Sequence, residues 1–213
     1  MAVSIPPIAV MVAAALGFAG FFVLDWLVKA GRTKAFDSRG IRALRRADGT
    51  PRIGMAWAPA MRGLTQLGGP VLRYLIALPC AAWLYHLGYR DTALWLVLTL
   101  GSGWIVDAAA KKIFKRQRPN LVPHLANAGG PSFPSGHTFN ASLVYCGIAL
   151  GLAPLLGTWL TPALAAAILL SFAVGFSRVW LGVHWPSDVF AGWMLGTAWW
   201  LGALALGSHW LGR

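Results

Sequence analysis

The sequence predicts an all-α fold: a polytopic membrane bundle of six transmembrane helices, with an amphipathic interfacial segment between the first two. Three observations predict it. Of 213 residues, 57% are hydrophobic. Only 11% are charged, against about 25% in ordinary soluble domains, so a water-facing surface would be badly under-charged. The 12 Trp suit the membrane–water interface, where an apolar ring with one N–H donor fits well. The apolar content excludes intrinsic disorder. The length fits one domain over residues 1–213, with no internal boundary or repeat. The few charges are lopsided: 18 Lys and Arg face 6 Asp and no Glu, a net charge of +12.

Residues 8–28 form the first apolar run. At about 1.5 Å per residue it crosses a hydrocarbon core of roughly 30 Å. A cleaved signal peptide is the competing reading. The lack of a basic stretch ahead of the run, and its continuation through Phe21, Phe22, Val23 and Leu24, favour a span. Residues 29–73 change character, with ten Lys or Arg opposed only by Asp37 and Asp48. Phe36, Ile41, Leu44, Ile53, Trp57 and Leu64 are interleaved with these cations. Residues of about 30–68 therefore read as one or two amphipathic helices in the headgroup layer, with a solvated loop as the alternative. Five further spans follow: 70–89, then 92–110 capped by Asp91, then 137–156. The fifth, 162–180, has Thr161 as cap and Pro162 in first position, and 186–207 is the sixth. Cys80 and Cys146 lie inside apolar runs and read as buried thiols, with no metal or disulfide pattern.

Polar residues at membrane depth are costly, so each asks for a reason. They cluster at the end of the third span, the start of the fourth, and the junction of the fifth and sixth. In a six-helix serpentine these three places share one face of the membrane, together with the basic 29–73 segment. The core that carries them covers about residues 92–207.

The first cluster runs from Lys111 to Pro119, with five cations within eight residues. Alone it is also a common topology or headgroup signal. Asp107, one turn before Lys111, can hold that ammonium by an i,i+4 pair. The second cluster is Pro134-Ser135-Gly136-His137. Ser135 can cap the fourth span, whose free N–H groups and positive dipole end make an anion cradle. Gly136 lets a ligand approach the backbone. The third cluster is Ser177-Arg178, then His184 through Asp188. His184 and Asp188 are four apart, so a carboxylate can fix one imidazole nitrogen and free the other as a nucleophile. Arg178 offers a planar, bidentate fork suited to phosphate. Lys111, Arg118, Arg178 and a helix N-terminus together make a tetrahedral-oxyanion site. Two imidazoles supply a nucleophile and a general acid. The six Asp are scattered, so no carboxylate cluster for paired Mg²⁺ is visible, and neither metal nor cofactor is expected.

Lys111-x6-Arg118-Pro119, Pro134-Ser135-Gly136-His137 and Ser177-Arg178-x5-His184-x3-Asp188 resemble, without departure, the three motifs of the type 2 phosphatidic acid phosphatase (PAP2) superfamily. The resemblance implies a bacterial membrane lipid phosphatase. It implies that His184 attacks phosphorus to form a phospho-histidine, that Asp188 orients it, and that His137 protonates the leaving oxygen. It assigns Lys111, Arg118, Ser135, Gly136 and Arg178 to the phosphate oxygens. The soluble haloperoxidases of the superfamily fit this apolar chain poorly. Bacterial membrane members act on undecaprenyl diphosphate, phosphatidylglycerol phosphate, phosphatidic acid or diacylglycerol diphosphate, and the sequence does not separate these.

The expected partners are a membrane lipid phosphate as substrate and anionic lipid headgroups against the basic face. Neither nucleic acid nor an obligate protein partner is expected. A phosphotransferase of the same fold is the alternative activity, and a small ion or proton transporter a more distant one. On the motif face lie 16 cations, against Arg90 and Arg213 on the other. The positive-inside rule would place the motifs in the cytoplasm, whereas better-known family members carry them on the outer face of the inner membrane. The expectation is a multi-pass cell-membrane protein with the side of the site open. His86 and His209 fall on the opposite face and have no assigned role.

Overall fold

The computed structural model describes residues 6–207, so His209 and Arg213 lie outside the described residues. The described chain is helical, with α1 Pro7–Lys29, α2 Lys34–Ala43, α3 Ala58–Gln66, α4 Pro70–His86 and α5 Arg90–Ile113. After a loop come α6 Gly136–Gly151, the single turn α7 Ala153–Leu156, α8 Leu160–Trp180 and α9 Pro186–Gly207. Pro7, Pro70 and Pro186 stand in the first turns of α1, α4 and α9. There a fixed φ favours the helix and the missing N–H would have had no partner anyway.

Two expected caps are displaced. α5 begins at Arg90, so Asp91 sits inside its first turn, where a carboxylate still complements the positive helix end. α8 begins at Leu160 because α7 and a 3₁₀ turn over Gly157–Trp159 lead straight into it. Thr161 and Pro162 are therefore first-turn residues.

Four stretches are long and apolar enough to cross a membrane: Pro7–Lys29, Arg90–Ile113, Ala153–Trp180 and Pro186–Gly207. Met55–Gln66 and Pro70–His86, bent by 46° at their joint, make a fifth if taken together. The sequence reading counted six. The difference lies in α6, which has only 16 residues, 13 of them buried. At about 1.5 Å per residue it is short for a lipid-exposed span. It sits inside the bundle, packed against α8 and α9 with α4 and α5 also in contact, while α1 lies along α9.

The α6–α9 contact rests on glycine. A Cβ at Gly192 would stand 2.7 Å from the Ser135 carbonyl oxygen, and one at Gly196 2.9 Å from that of Phe139. This Gly-x3-Gly spacing lets two backbones approach closely, as small residues do between membrane helices. Beneath the polar end, Phe21, Phe114 and Phe133 pack with centroids 5.5–5.7 Å apart, Phe21 stacked on Phe133 and Phe114 edge-on to both. They form an apolar floor that ties α1 to the 114–135 loop.

Candidate active site

The polar residues gather at one end of the bundle, where α5 ends and α6 and α9 begin. The Ser135 N–H donates to the Asp188 carbonyl at 2.9 Å and so ties the α6 start to the α9 start. The Leu125 N–H donates to the Leu181 carbonyl at 2.9 Å, and the Ser132 N–H to that of Arg116, also at 2.9 Å. These bonds fold the 114–135 loop over the α8–α9 turn. All three motif segments therefore meet.

His184 is the centre of the site and is only 2% exposed. Its Nε2 accepts from the Arg118 Nη1 at 3.0 Å. A guanidinium can only donate, so Nε2 carries the lone pair and the ring proton sits on Nδ1. That nitrogen faces the Asp188 Oδ2 at 3.4 Å, a long contact of the kind that tightens when a ligand binds. The Trp185 N–H also donates to Oδ2, at 2.9 Å. Burial first, then the charges of Arg178, Arg118 and Lys111, holds the His184 imidazole well below its ordinary value. It stays neutral.

Arg118 is held in advance of any ligand. Its Nη1 donates to the Val183 carbonyl at 2.7 Å, its Nη2 to Gly129 at 2.8 Å, and its Nε to Gly130 at 3.1 Å. Burial lowers its pKa, partly offset by Asp188. Lys111 Nζ lies 3.4 Å from the Asp107 Oδ2, the i,i+4 pair expected from spacing. That ammonium is directly above Gly136, where a Cβ would stand 2.5 Å from it. Arg178 is buried on α8, with Nη1 donating to the Thr65 Oγ1 at 2.8 Å. Its buried Nε–H has no partner among the described residues.

Ser135 occupies the N-cap position of α6 but makes no side-chain cap bond. Its Oγ accepts from the Thr138 hydroxyl at 2.9 Å instead. The first N–H groups of α6 have no intrahelical acceptor. His137 and Arg178 line a cavity of about 500 Å³ with Arg62, Gln66, His124 and Asn127. Among the described residues, no group of three or more His, Cys, Asp or Glu is placed to hold a metal. Both cysteines are free, Cys146 buried and Cys80 half-buried.

The structure revises the expected basic belt. Arg116, grouped in the sequence with headgroup-attracting cations, turns inward. Its Nη1 donates to the Asp188 Oδ1 and the Ser187 Oγ, each at 2.7 Å, and its Nη2 to the Asp37 Oδ2 at 2.7 Å. Arg45, 3% exposed, donates to the Trp180 carbonyl. Arg73 donates from α4 to the Asn140 Oδ1 at 2.7 Å. These three cations prop the fold. Asp37, Thr65 and Arg116 were missed because their partners lie 71 to 150 residues away. Only the odd position of Asp37, an acid in a basic run, hinted at this.

Comparison with known proteins adds four findings. The model of the PAP2 superfamily matches residues 92–210. Phosphatidylglycerophosphatase B of Bacillus subtilis (strain 168) is 34% identical over 141 residues, 64% of this chain and 68% of the relative. An undecaprenyl-diphosphatase of Sulfolobus acidocaldarius is 40% identical over 123 residues, 55% of each chain. Among solved structures, a transmembrane PAP2 type phosphatidylglycerolphosphate phosphatase from Bacillus subtilis superposes with a TM-score of 0.81 at 25% identity. That match covers 92% of this chain and 96% of the other.

Proposed function

The chain belongs to the PAP2 superfamily, and on that premise we propose that it is a metal-independent lipid phosphatase working through a phospho-histidine. The observation that carries this reading is the state of His184. Its Nε2 lone pair is aimed at the anion-binding guanidinium of Arg118 at 3.0 Å, with Asp188 behind the other nitrogen. A phosphate entering the site meets Arg118 and Nε2 together.

The Nε2 lone pair attacks phosphorus while the P–O bond to the lipid breaks. His137 donates its proton to the departing oxygen. The imidazole proton stays on Nδ1 against Asp188 throughout. Water then attacks phosphorus while giving a proton to His137; the P–N bond breaks, its electron pair returns to Nε2, and inorganic phosphate leaves with His184 neutral again. Lys111, Arg118, Arg178, Ser135 and the Gly136 amide hold the oxygens whose charge grows in the transition state. Because they are fixed beforehand, they need little reorganisation as it forms.

The substrate class is a lipid phosphate or diphosphate. The names of the relatives support phosphatidylglycerol phosphate and prenyl diphosphate as first candidates. α4 and the short, enclosed α6 complete six crossings of the cell (inner) membrane, and α2 and α3 lie in the headgroup layer on the site's side. The whole chain acts as a single domain. Purified protein in detergent with chelator should release phosphate from these lipids, and His184→Ala should abolish it. Full activity of His184→Ala would remove the assigned nucleophile.

A further inference from the structure

Asp37 stands on α2, in the basic segment far outside the 92–210 region that the family model matches. It is 1% exposed and every side-chain contact is directed at the catalytic end. Its Oδ1 accepts from the Ser187 N–H at 2.9 Å, at the N-terminus of α9. Its Oδ2 accepts from the Ser187 hydroxyl at 2.8 Å and from the Arg116 Nη2 at 2.7 Å. Arg116 then reaches Asp188 with its other arm at 2.7 Å. The result is a chain of contacts, Asp37–Arg116–Asp188–His184, joining an interfacial helix to the imidazole.

Two properties of this chain follow from its charges. First, Asp188 has two oxygens with separate tasks. Oδ2 faces His184 and the Trp185 amide, and Oδ1 is tied to Arg116. The carboxylate cannot turn without breaking a charge-assisted bond, which is among the stronger kinds. Second, one guanidinium is shared by two carboxylates, leaving a net charge of −1 behind the imidazole. Without Asp37, Arg116 would neutralise Asp188 alone. The field that favours Nδ1–H, and the positive imidazole–phosphorus bond of an intermediate, would then be largely cancelled. Trp185 covers the network from outside, with the Arg116 guanidinium 5.4 Å from its ring centroid and Nε1 donating to the Gln117 carbonyl at 3.0 Å.

We propose that Asp37 and Arg116 are positioning residues that fix the Asp188 carboxylate behind His184 and keep it anionic in effect, making α2 part of the catalytic apparatus. This rests on the phosphatase reading above. Neither residue touches substrate; both act through Asp188.

Asp37→Asn tests this, because an amide oxygen can still accept from the Ser187 N–H, while its NH₂ accepts neither from Arg116 nor from the Ser187 hydroxyl. The measurement is steady-state phosphate release from a lipid phosphate in detergent, with the rate of phosphoryl-enzyme formation in a single turnover. Asp37→Asn should lower kcat and that rate by about 10- to 100-fold, with KM within about threefold, since the phosphate ligands are untouched. Arg116→Lys keeps a charge but cannot span all three acceptors. It should show the same split, and it serves alone if Asp37→Asn does not fold. An unchanged kcat in the folded variants, or a loss confined to KM, overturns the proposal. Absence of phosphate release from the wild-type protein, or wild-type turnover in His184→Ala, would instead overturn the phosphatase reading.

Discussion

Gly136→Ala puts one methyl group between the phosphate site and its cation. The added Cβ would lie 2.5 Å from the Lys111 Nζ, 3.0 Å from its Cε and 3.0 Å from the Asp107 Oδ1. Comfortable non-bonded contact begins near 3.5 Å, so the ammonium must retreat by about 1 Å. Its stem has room to do so, because the side chain is 40% exposed. The i,i+4 hold on Asp107 at 3.4 Å is too loose to resist. The helix itself is not harmed, since Ala is the better helix former. A displacement of about 1 Å in a charge-stabilising group costs on the order of 10²-fold in rate. The assay is phosphate release in detergent for Gly136→Ala, Lys111→Gln and the double variant. Gly136→Ala should lose about 10²-fold in kcat/KM while keeping its thermal midpoint. If it acts through Lys111, the double variant should be little worse than Lys111→Gln alone. Additive losses, or a Gly136→Ala enzyme within about twofold of wild type, would refute the reasoning.

Three further outcomes are expected. The folded imidazole of His184 titrates well below its ordinary value of 6.5, so the unfolded chain binds a proton there first as pH falls. Stability is then lost below about pH 6.5, and the acid slope of the thermal midpoint should be shallower in His184→Asn; equal slopes would contradict the assignment. Gly192→Leu forces a side chain into the Ser135 carbonyl and should lower the thermal midpoint by the cost of overpacking, about 1–3 kcal/mol or more. Gly202→Ala, with nothing within 4 Å of its Cβ, should leave it unchanged, and a reversed order would dismiss the close α6–α9 contact. Arg62 shares a cavity with His137, the group proposed to protonate the departing oxygen, so Arg62→Gln should reduce the preference for a prenyl diphosphate over the matching monophosphate by about tenfold; an unchanged kcat/KM ratio would place Arg62 outside the leaving-group path.

Much of the catalytic end was legible because its geometry is local. Asp107–Lys111 and His184–Asp188 are each one helical turn apart, so spacing alone brings them together. Pro186 likewise marks the start of α9 where expected. The long-range part was not legible. Arg116 sits among Lys112, Lys115 and Arg118, and nothing in that run distinguishes a cation that turns inward from one that faces headgroups. Asp37 looked like a lone counter-charge in a basic segment, because its acceptor role depends on α2 docking against α9, 150 residues on. The burial of α6 was hidden for a different reason. Its apolar run resembles a lipid-facing span, and only the helices around it show that protein, not lipid, covers it. Gly192-x3-Gly196 carried that information in its spacing, at the point where α9 presses on α6.

The scarcity of carboxylates acquires a purpose from where they sit. Asp25 holds Lys29 at 2.7 Å, Asp107 holds Lys111 at 3.4 Å, and Asp37 and Asp188 share Arg116. Asp48 accepts from Thr50 in an exposed turn. Apart from Asp48, each of these acids thus lies against one particular cation or against His184, and the short Asp side chain does so with fewer rotamers to freeze than Glu would have. Arg118 and Arg178 form no ion pair among the described residues; their guanidiniums rest on neutral oxygens and on the His184 nitrogen. Guanidiniums withdrawn from water without a direct ion pair are costly in isolation, and on the proposed reading that cost falls when a phosphate enters between them. More acid on the chain would lower that cost in the free protein and lower the affinity for phosphate with it. On the proposed reading, the lack of acid beside these two guanidiniums suits a site for a multiply charged anion.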